Sequence, residues 1–291
     1  NIALNLLGKI LSPIMNRLFF LHIPKCAGTT FYEILYNNYK YQQIAKIDGT
    51  YIDKSVKQII TYPEGKKVKI KCVMGHMYYG MHEYFNEKYK YITFLRNPTI
   101  RVLSLYYHII TTVNHPLHEL FIKKHISLKS FLESEITQEL SNEQVRRISG
   151  INEKYIKIEH LEIAQSNIKT DFKFVGITEL FDESLVLLRN VVSEIIKINF
   201  INKNVGRIVS YDEDIHKYGD VILNRNYFDQ ILYDKHYTSL LRLIDKKELK
   251  NEIERFKIAN TIFANRYNNN KKILDFYRKL IRKVNLLIGG V

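Results

Sequence analysis

Residues 18–39 read LFFLHIPKCAGTTFYEILYNNY, and this stretch decides the fold that we predict for the chain. Its first part, Leu18–Leu21, is an apolar run with the length and aromatic content of a buried β-strand. A short turn ends at Gly28, and a helix with an apolar face begins at Thr29. A strand, a tight turn and a helix in this order indicate an α/β protein.

The turn after this strand is suited to bind a phosphate or a sulfate. The first backbone N–H groups of a helix have no partner inside the helix, and the helix dipole adds partial positive charge. The ammonium of Lys25 adds a full charge, and two threonine hydroxyls add further donors. We predict that the anion is bound by Lys25, Cys26, Ala27, Gly28, Thr29 and Thr30.

The order of residues in the turn differs from that of a nucleotide kinase. The kinase loop reads G-x-x-x-x-G-K-[ST], with the lysine after the glycines. Here Lys25 follows the strand directly and precedes Gly28. A plain strand-turn-helix connection with an incidental lysine is the alternative that this stretch alone leaves open.

A histidine follows the second predicted strand. Residues Val68–Met74 alternate apolar and basic side chains before becoming apolar, and Gly75 and His76 come next. Open α/β sheets bind their ligands at the carboxyl ends of strands, which is where His76 is predicted to lie. The alternative is a structural histidine in a tight turn.

The third predicted strand, Tyr91–Leu95, has Arg96 at its carboxyl end. Asn97 is suited to cap the helix that follows, and Pro98 is suited to its first position. Ser104 then lies about two turns along that helix. Arg96 is therefore predicted to lie at the same edge of the sheet as the anion-binding turn.

Two of these segments resemble the donor-binding motifs of sulfotransferases that use 3′-phosphoadenosine 5′-phosphosulfate (PAPS). HIPKCAGTT at residues 22–30 resembles the loop that binds the 5′-phosphosulfate. RNPTIRVLSLY at residues 96–106 resembles the 3′-phosphate motif R-[DN]-P-x-x-R-x-x-S-x-Y. The resemblance implies that Lys25 stabilises the leaving group and that Arg96 and Ser104 hold the 3′-phosphate.

Three later segments extend the resemblance along the chain. They read SNEQVRRISG, FVGITELFDES and NYFDQILY and lie at residues 141–150, 174–184 and 226–233. The first of them lines the active site in the relatives; an ordinary solvated helix face is the alternative. The resemblance covers residues 18–235, and within the family the chain resembles the branch with the heparan sulfate 2-O- and 6-O-sulfotransferases and their bacterial relatives.

The resemblance also implies the remaining roles in the site. The histidine of the glycine-histidine pair, His76, is expected to be the general base, because a neutral imidazole that titrates near pH 7 suits that step. His22 faces the same cleft and is expected to orient or contact the substrate. Arg207 lies in a basic segment and is expected to close over the 3′-phosphate.

We therefore expect one P-loop-like sulfotransferase domain over residues 1–270, with a central parallel sheet flanked by helices. The implied reaction moves a sulfuryl group in line from PAPS to an acceptor hydroxyl and releases adenosine 3′,5′-bisphosphate. It needs no metal and no covalent enzyme intermediate. The expected acceptor is a carbohydrate, either a polysaccharide or a glycolipid. The alternatives are a non-catalytic nucleotide- or glycan-binding protein and, behind it, a nucleotide kinase.

The composition constrains the partners of this chain. With a net charge of +14 over 291 residues, an anionic partner is favoured. The sequence shows no helix-turn-helix, zinc-finger or RNP pattern, so we do not expect a nucleic-acid polymer. PAPS together with an anionic glycan would account for the positive charge as well as a nucleic acid would.

The cysteines indicate a reducing compartment. Cys26 and Cys72 form neither a disulfide framework nor a metal-binding spacing, and we expect the chain in the cytoplasm. Cys26 is predicted to ionise, because it lies beside Lys25 at a helix N-terminus.

The two ends of the chain lie outside the resemblance. Residues 1–17 have apolar side chains at helical spacing and are predicted to form a surface helix. Residues 271–291 predict a basic amphipathic helix. This helix either attaches to the inner face of a membrane or docks on the parent domain or on a second copy in an oligomer. No apolar run is long enough to cross a bilayer, and no signal-peptide pattern is present.

Overall fold

A computed structural model describes residues 17–86, 88–201 and 211–287, with side chains up to residue 271. Its centre is a five-stranded parallel sheet in the order β2-β3-β1-β4-β5. The strands are β1 (Arg17–Leu21), β2 (Ile44–Ile47), β3 (Cys72–Gly75), β4 (Tyr89–Leu95) and β5 (Phe172–Ile177). Helices flank this sheet, which confirms the predicted α/β fold.

The described α-helices alternate with the strands and then continue beyond them. They are α1 (Gly28–Asn38), α2 (Ile52–Ile60), α3 (Glu64–Lys67), α4 (Pro98–Thr111), α5 (His118–Lys123), α6 (Leu128–Glu133), α7 (Glu143–Ser149), α8 (Ile158–Asp171), α9 (Phe181–Val191), α10 (Asp212–Arg225), α11 (Tyr227–Lys246) and α12 (Lys250–Leu287). Within the described part of the chain, no helix is long and apolar enough to span a membrane.

The central strand explains why the first motif was readable from the sequence. All five residues of β1 are buried, because β3 and β4 pair with its two edges and helices cover its faces. A strand buried on both faces reads as a continuous apolar run. The register sets Leu21 beside Gly75 at the carboxyl end of the sheet. The loops that follow β1 and β3 therefore meet at one edge.

Several predicted elements are confirmed. Asn97 caps α4, since its side chain accepts a hydrogen bond from the N–H of Ile100 at 3.1 Å. The four apolar residues predicted on the helix after β5 are all buried, but only Leu185 and Leu188 lie in α9, which ends at Val191; Val192 and Ile195 follow it. Residues 111–140 form the predicted helical pieces and pack, with α4, around a second apolar cluster that contains Phe121 and Phe131.

Other predicted elements are wrong in their bounds. The second strand begins at Cys72, whereas Val68 follows the short helix α3 and is 55% exposed. Residues 40–67, predicted to be a loose connection, contain α2 and the edge strand β2. β2 has only four residues, and an edge strand with an exposed lysine gives little hydrophobic signal.

The carboxyl-terminal helix is longer than predicted. α12 runs without a break from Lys250 to Leu287, so the predicted amphipathic helix is the end of a longer one. The helix predicted at the amino terminus lies outside the described residues, apart from Arg17, which begins β1.

Candidate active site

A cleft of about 1060 Å³ lies at the carboxyl ends of the central strands. Most of the predicted site residues line it. They are His22, Lys25, Ala27, Gly28, Thr29, Thr30, His76, Arg96 and Ser104. Of the other two, Cys26 faces elsewhere, and Arg207 lies outside the described residues.

The anion-binding turn has an unusual backbone. Lys25 and Ala27 both have left-handed conformations, with φ of 68° and 55°. Such a conformation costs a residue with a side chain about 1–2 kcal/mol. In the described structure the N–H groups of Gly28, Thr29 and Thr30 have no hydrogen-bond partner, because the helical ladder begins with Phe31 donating to Ala27 (3.1 Å). The turn is thus curved around three free donors.

Lys25 brings an uncompensated charge to this turn. Among the described residues its ammonium has no hydrogen-bond or ion-pair partner. Burial and the neighbouring Arg96 lower the pKa of Lys25 to about 8. Oε1 of Glu179 lies 3.9 Å from Nε of Arg96, but no carboxylate among the described residues pairs with Lys25. This excess of positive charge fits an anionic ligand, whose binding would raise the pKa of Lys25 again.

The side chain and backbone of Arg96 are already fixed by the protein. Its Nη1 donates to the carbonyl of Lys25 at 3.0 Å. The side chain of Gln144 forms hydrogen bonds with both the backbone N–H and the backbone carbonyl of Arg96. Nε of Arg96 is buried without a hydrogen bond, because Oε1 of Glu179 lies 3.9 Å away, beyond hydrogen-bonding distance. This orphaned donor also fits a phosphate ligand.

The contacts of His76 identify its tautomer. Nδ1 of His76 lies 3.1 Å from the carbonyl oxygen of His22, and since a carbonyl only accepts, Nδ1 carries the proton. Nε2 is then left with a lone pair and has no hydrogen-bond partner in the described structure. The ring lies close against the backbone of Gly49, where a Cβ would be 2.4 Å from Cδ2. His76 can therefore accept a proton at Nε2.

The environment of His76 corrects the expected titration near neutrality. Burial, followed by the positive charge of Arg147, lowers the pKa of His76 to about 4. The imidazole is neutral at pH 7, as general-base chemistry needs, but it is a weaker base in the unliganded protein than we predicted.

His22 lies beneath His76 and is buried. The two rings stack with centroids 4.2 Å apart, and Nδ1 of His22 is 2.7 Å from the hydroxyl of Tyr32. Burial holds the pKa of His22 well below its ordinary value. A Cβ at Gly28 would lie 1.9 Å from Nε2 of His22, so a glycine is needed for this close packing. His22 thus connects the anion-binding turn to His76.

The prediction of a Cys26 thiolate is wrong. The side chain of Cys26 is 1% exposed and faces the core, where its Sγ lies 3.9 Å from Oε1 of Gln144. Burial raises the pKa of the Cys26 thiol to about 12. Its backbone N–H donates to the carbonyl of Ile23 (3.1 Å) and is not free for an anion.

Helix α7 is the part of the site that the sequence described least well. Its five polar side chains are at most 6% exposed, so the solvated-face alternative is wrong; they are Glu143, Gln144, Arg146, Arg147 and Ser149. Arg147 bonds Glu143 (2.6 Å) and donates from Nη1 to the carbonyl of His76 (3.2 Å). α7 therefore forms a wall of the cleft beside the histidine.

Two distant segments cap each other and hold α7 in place. The carboxylate of Asp229 accepts hydrogen bonds from the N–H groups of Gln144 (3.0 Å) and Val145 (2.8 Å), in the first turn of α7. In return, Oδ1 of Asn142 accepts from Phe228 (3.0 Å) and Asp229 (3.1 Å), in the first turn of α11. These contacts join two of the later segments singled out in the sequence, residues 141–150 and 226–233.

The cleft also contains residues that the sequence did not indicate. They are Lys46, Asp48, His108, His115 and Glu139, among others. They come from β2, from the loops after β2 and α4, from α4 itself and from the turn before α7. Their distances along the chain left no local pattern that could have identified them.

Comparison with known proteins gives one family. A model of the sulfotransferase family matches residues 15–257. One solved structure that matches part of this chain is mouse sulfotransferase SULT7A1 complexed with PAP. It is 15% identical, with a TM-score of 0.39 over 66% of this chain and 63% of that chain. The aligned region thus spans less than two thirds of the mouse protein. No curated protein sequence gives a significant match.

Proposed function

We propose that this chain, which belongs to the sulfotransferase family, transfers a sulfuryl group from PAPS to a hydroxyl of a carbohydrate. One juxtaposition in the cleft supports the proposal most. An unpaired ammonium, Lys25, lies beside Arg96 in a cleft that also contains a neutral imidazole, His76, with a free lone pair on Nε2. Such a cleft can bind an anionic donor and accept a proton from a nucleophile.

The residues of the two donor motifs divide the binding of PAPS between them. The N–H groups of Gly28, Thr29 and Thr30, with the ammonium of Lys25, are suited to the 5′-phosphosulfate end. Arg96 and Ser104 are suited to the 3′-phosphate. When bound, PAPS supplies the sulfuryl group and a leaving group on which negative charge builds. Lys25 stabilises that charge more strongly in the transition state than in the ground state.

His76 acts on the acceptor. Its Nδ1–H is held by the carbonyl of His22, so Nε2 takes the proton from the acceptor hydroxyl. Arg147 lowers the pKa of His76 in the unliganded protein, and a bound anionic donor would oppose that effect. His22 and Arg147 thus orient His76 through their backbone and side-chain contacts.

The proposal of a carbohydrate acceptor is supported by the remainder of the cleft. Lys46, Asp48, His115 and Glu139 line it with charged and hydrogen-bonding side chains, and sugar hydroxyls pair with such groups. The chain's net charge of +14 favours an acceptor that is itself anionic. We propose a closer relation to the heparan sulfate 2-O- and 6-O-sulfotransferases on the motifs at residues 22–30 and 96–106.

A transfer assay tests the proposal directly. Isotope-labelled PAPS is incubated with the full chain and a panel of anionic and neutral glycans, and label in the glycan is measured. We expect label in at least one anionic glycan, and about a hundredfold less label per unit time with His76→Ala. Tight binding of adenosine 3′,5′-bisphosphate without transfer to any glycan would instead favour a non-catalytic binding protein.

The end of α12 carries a separate proposal, attachment to an anionic membrane surface. Residues 271–291 combine basic and apolar residues at helical spacing, and the helix continues to Leu287. The protein should then co-sediment with phosphatidylserine vesicles in a salt-sensitive way. Removing residues 271–291 should abolish this without changing nucleotide affinity. Loss of nucleotide binding or of a dimer on truncation would assign the helix to the core or to an oligomer interface.

A further inference from the structure

Helix α7 contacts the loops after β4 and β3 at the level of their backbones. Oε1 of Gln144 accepts from the N–H of Arg96 (2.9 Å), and Nε2 of Gln144 donates to the carbonyl of Arg96 (2.9 Å). Three residues along, Arg147 donates from Nη1 to the carbonyl of His76 (3.2 Å). Residues three apart lie on one face of a helix, so one rigid element holds both loops.

Gln144 is suited to this task by its chemistry and by its surroundings. It is fully buried, and an amide side chain offers the acceptor and the donor that the two backbone groups of Arg96 need. Its own N–H is fixed by the carboxylate of Asp229 (3.0 Å). The side chain thus connects a capped helix end to a single residue of the loop after β4.

The two hydrogen bonds from Gln144 involve only the backbone of Arg96, so the guanidinium of Arg96 remains available for other contacts. With its backbone fixed by Gln144, Arg96 directs Nη1 to the carbonyl of Lys25 (3.0 Å) and keeps a buried Nε unbonded. A change in the backbone at Arg96 would move this guanidinium relative to the anion-binding turn.

We infer that Gln144 is a positioning residue that sets the Arg96 guanidinium for the 3′-phosphate, while α7 fixes the distance between Arg96 and His76. The inference rests on the proposed function. It assigns to Gln144 the discrimination between nucleotides with and without a 3′-phosphate, and not nucleotide binding in general. Loss of Gln144 therefore raises KM for PAPS more than it lowers kcat.

The first test removes both hydrogen bonds with little change in volume. Titration calorimetry measures the affinities of wild type and Gln144→Met for adenosine 3′,5′-bisphosphate and adenosine 5′-phosphate. We expect the bisphosphate to bind about tenfold more weakly to the variant, the scale of a lost hydrogen bond to a fixed group. Adenosine 5′-phosphate should bind equally to both. Gln138→Met, at an exposed glutamine nearby, is the matched control and should change neither affinity.

A second variant separates positioning from packing. In Gln144→Glu a carboxylate can accept from the N–H of Arg96 but cannot donate to its carbonyl, whereas the protonated carboxyl can do both. Relative to wild type at the same pH, its preference for the bisphosphate should recover as pH falls. Gln144→Met should show no such recovery.

The outcomes distinguish this inference from the function on which it rests. If wild type prefers the bisphosphate and both variants keep that preference at every pH, Gln144 does not position Arg96 and the inference is wrong. A parallel loss of affinity for both nucleotides would also contradict it, because that pattern indicates a structural role. Equal affinities in wild type would overturn the proposed function itself.

Discussion

The loops after β1 and β4 lie in the same cleft but are built in opposite ways. The loop after β1 presents an unpaired Lys25 ammonium and three free N–H groups at the start of α1. Most polar groups of Arg96, in the loop after β4, are hydrogen-bonded within the protein. Gln144 bonds the backbone of Arg96, and the guanidinium of Arg96 donates to the carbonyl of Lys25. The first loop keeps its donors unbonded, whereas most of the polar groups of Arg96 in the second loop are bonded within the protein.

This difference predicts different consequences for stability. A partly buried cation without a partner costs folding free energy, so the loop after β1 is destabilising until an anion binds. Contacts made within the protein stabilise the folded state whether or not a ligand is present. Substitutions in the first loop should therefore mainly affect function, and those in the second should affect stability as well.

The largest effect is expected at Lys25. Lys25→Met should lower kcat by about a hundredfold to a thousandfold, the scale for losing one group that stabilises developing negative charge. Donor affinity should fall as well, while the melting temperature of the unliganded protein should not. Steady-state kinetics and thermal denaturation measure both, with Lys57→Met, at an exposed lysine that does not line the cleft, as control. A marked loss of stability in Lys25→Met would show that the first loop is not built as we describe.

The pH dependence of stability tests whether Lys25 is an unpaired cation in the folded protein. Because the pKa of Lys25 is lowered in the folded state to about 8, the unfolded chain binds more protons above that pH. The contribution of Lys25 to stability should therefore rise as pH increases from about 8 to the ordinary lysine pKa. Subtracting the curve of Lys25→Met isolates this contribution, and saturating bisphosphate should remove it. A contribution that falls over this range would have the wrong sign for an unpaired buried cation.

A slightly smaller effect is expected at His76, in the loop after β3. His76→Ala should lower turnover by about a hundredfold, the usual scale for a general base, and leave bisphosphate affinity unchanged. The dependence of kcat/KM on pH should show a limb that falls as the pH decreases toward the pKa of about 4. That limb should be absent in His76→Ala. If the variant keeps most of its activity, His22 becomes the next residue to test.

Arg96 is expected to contribute less, because a charge-assisted contact accounts for about 1.5–3 kcal/mol. Arg96→Ala should weaken the binding of adenosine 3′,5′-bisphosphate by roughly tenfold to a hundredfold, and the binding of adenosine 5′-phosphate much less. It should also lower the melting temperature, because its bond to the carbonyl of Lys25 is lost. Arg189→Ala, which breaks a surface ion pair with Glu252, is the matched control. Equal weakening of both nucleotides would argue against a 3′-phosphate site.

The smallest effect is expected for alkylation of Cys26. The folded protein should react slowly with iodoacetamide, because the thiol is buried and its pKa is raised to about 12. Bound bisphosphate should change the rate only as far as it suppresses unfolding. Mass spectrometry of alkylated peptides, with the equally buried Cys72 as internal control, measures this. Rapid labelling of Cys26 alone would show that its side chain faces the cleft.

The same comparison shows what the sequence could predict. The turn after β1 and the cap at Asn97 are local, so strand, turn and helix signals were enough to place Lys25 and Arg96. The direction of the Cys26 side chain was not readable, because it depends on left-handed backbone at Lys25 and Ala27, which are not glycines. The helix dipole argument predicted the free N–H groups at the start of α1, but it gave Cys26 a role that its buried side chain does not fit.

The supports of the site depend on contacts between residues far apart in the chain. Gln144 reaches Arg96 across 48 residues, and Asp229 reaches Gln144 across 85. From the sequence, α7 reads as a charged helix that solvent could cover, and only tertiary packing buries it. The residues expected to touch the ligand were therefore easier to predict than those that hold them in place.

One binding measurement tests most directly the claim that the two loops hold two phosphates of one nucleotide. Titration calorimetry of the wild-type protein compares adenosine 3′,5′-bisphosphate with adenosine 5′-phosphate and with ATP. We expect the bisphosphate to bind at least about tenfold more tightly than either, because only it can satisfy Lys25 with the α1 amides and Arg96 with Ser104 together. Equal affinity for all three nucleotides would contradict the account.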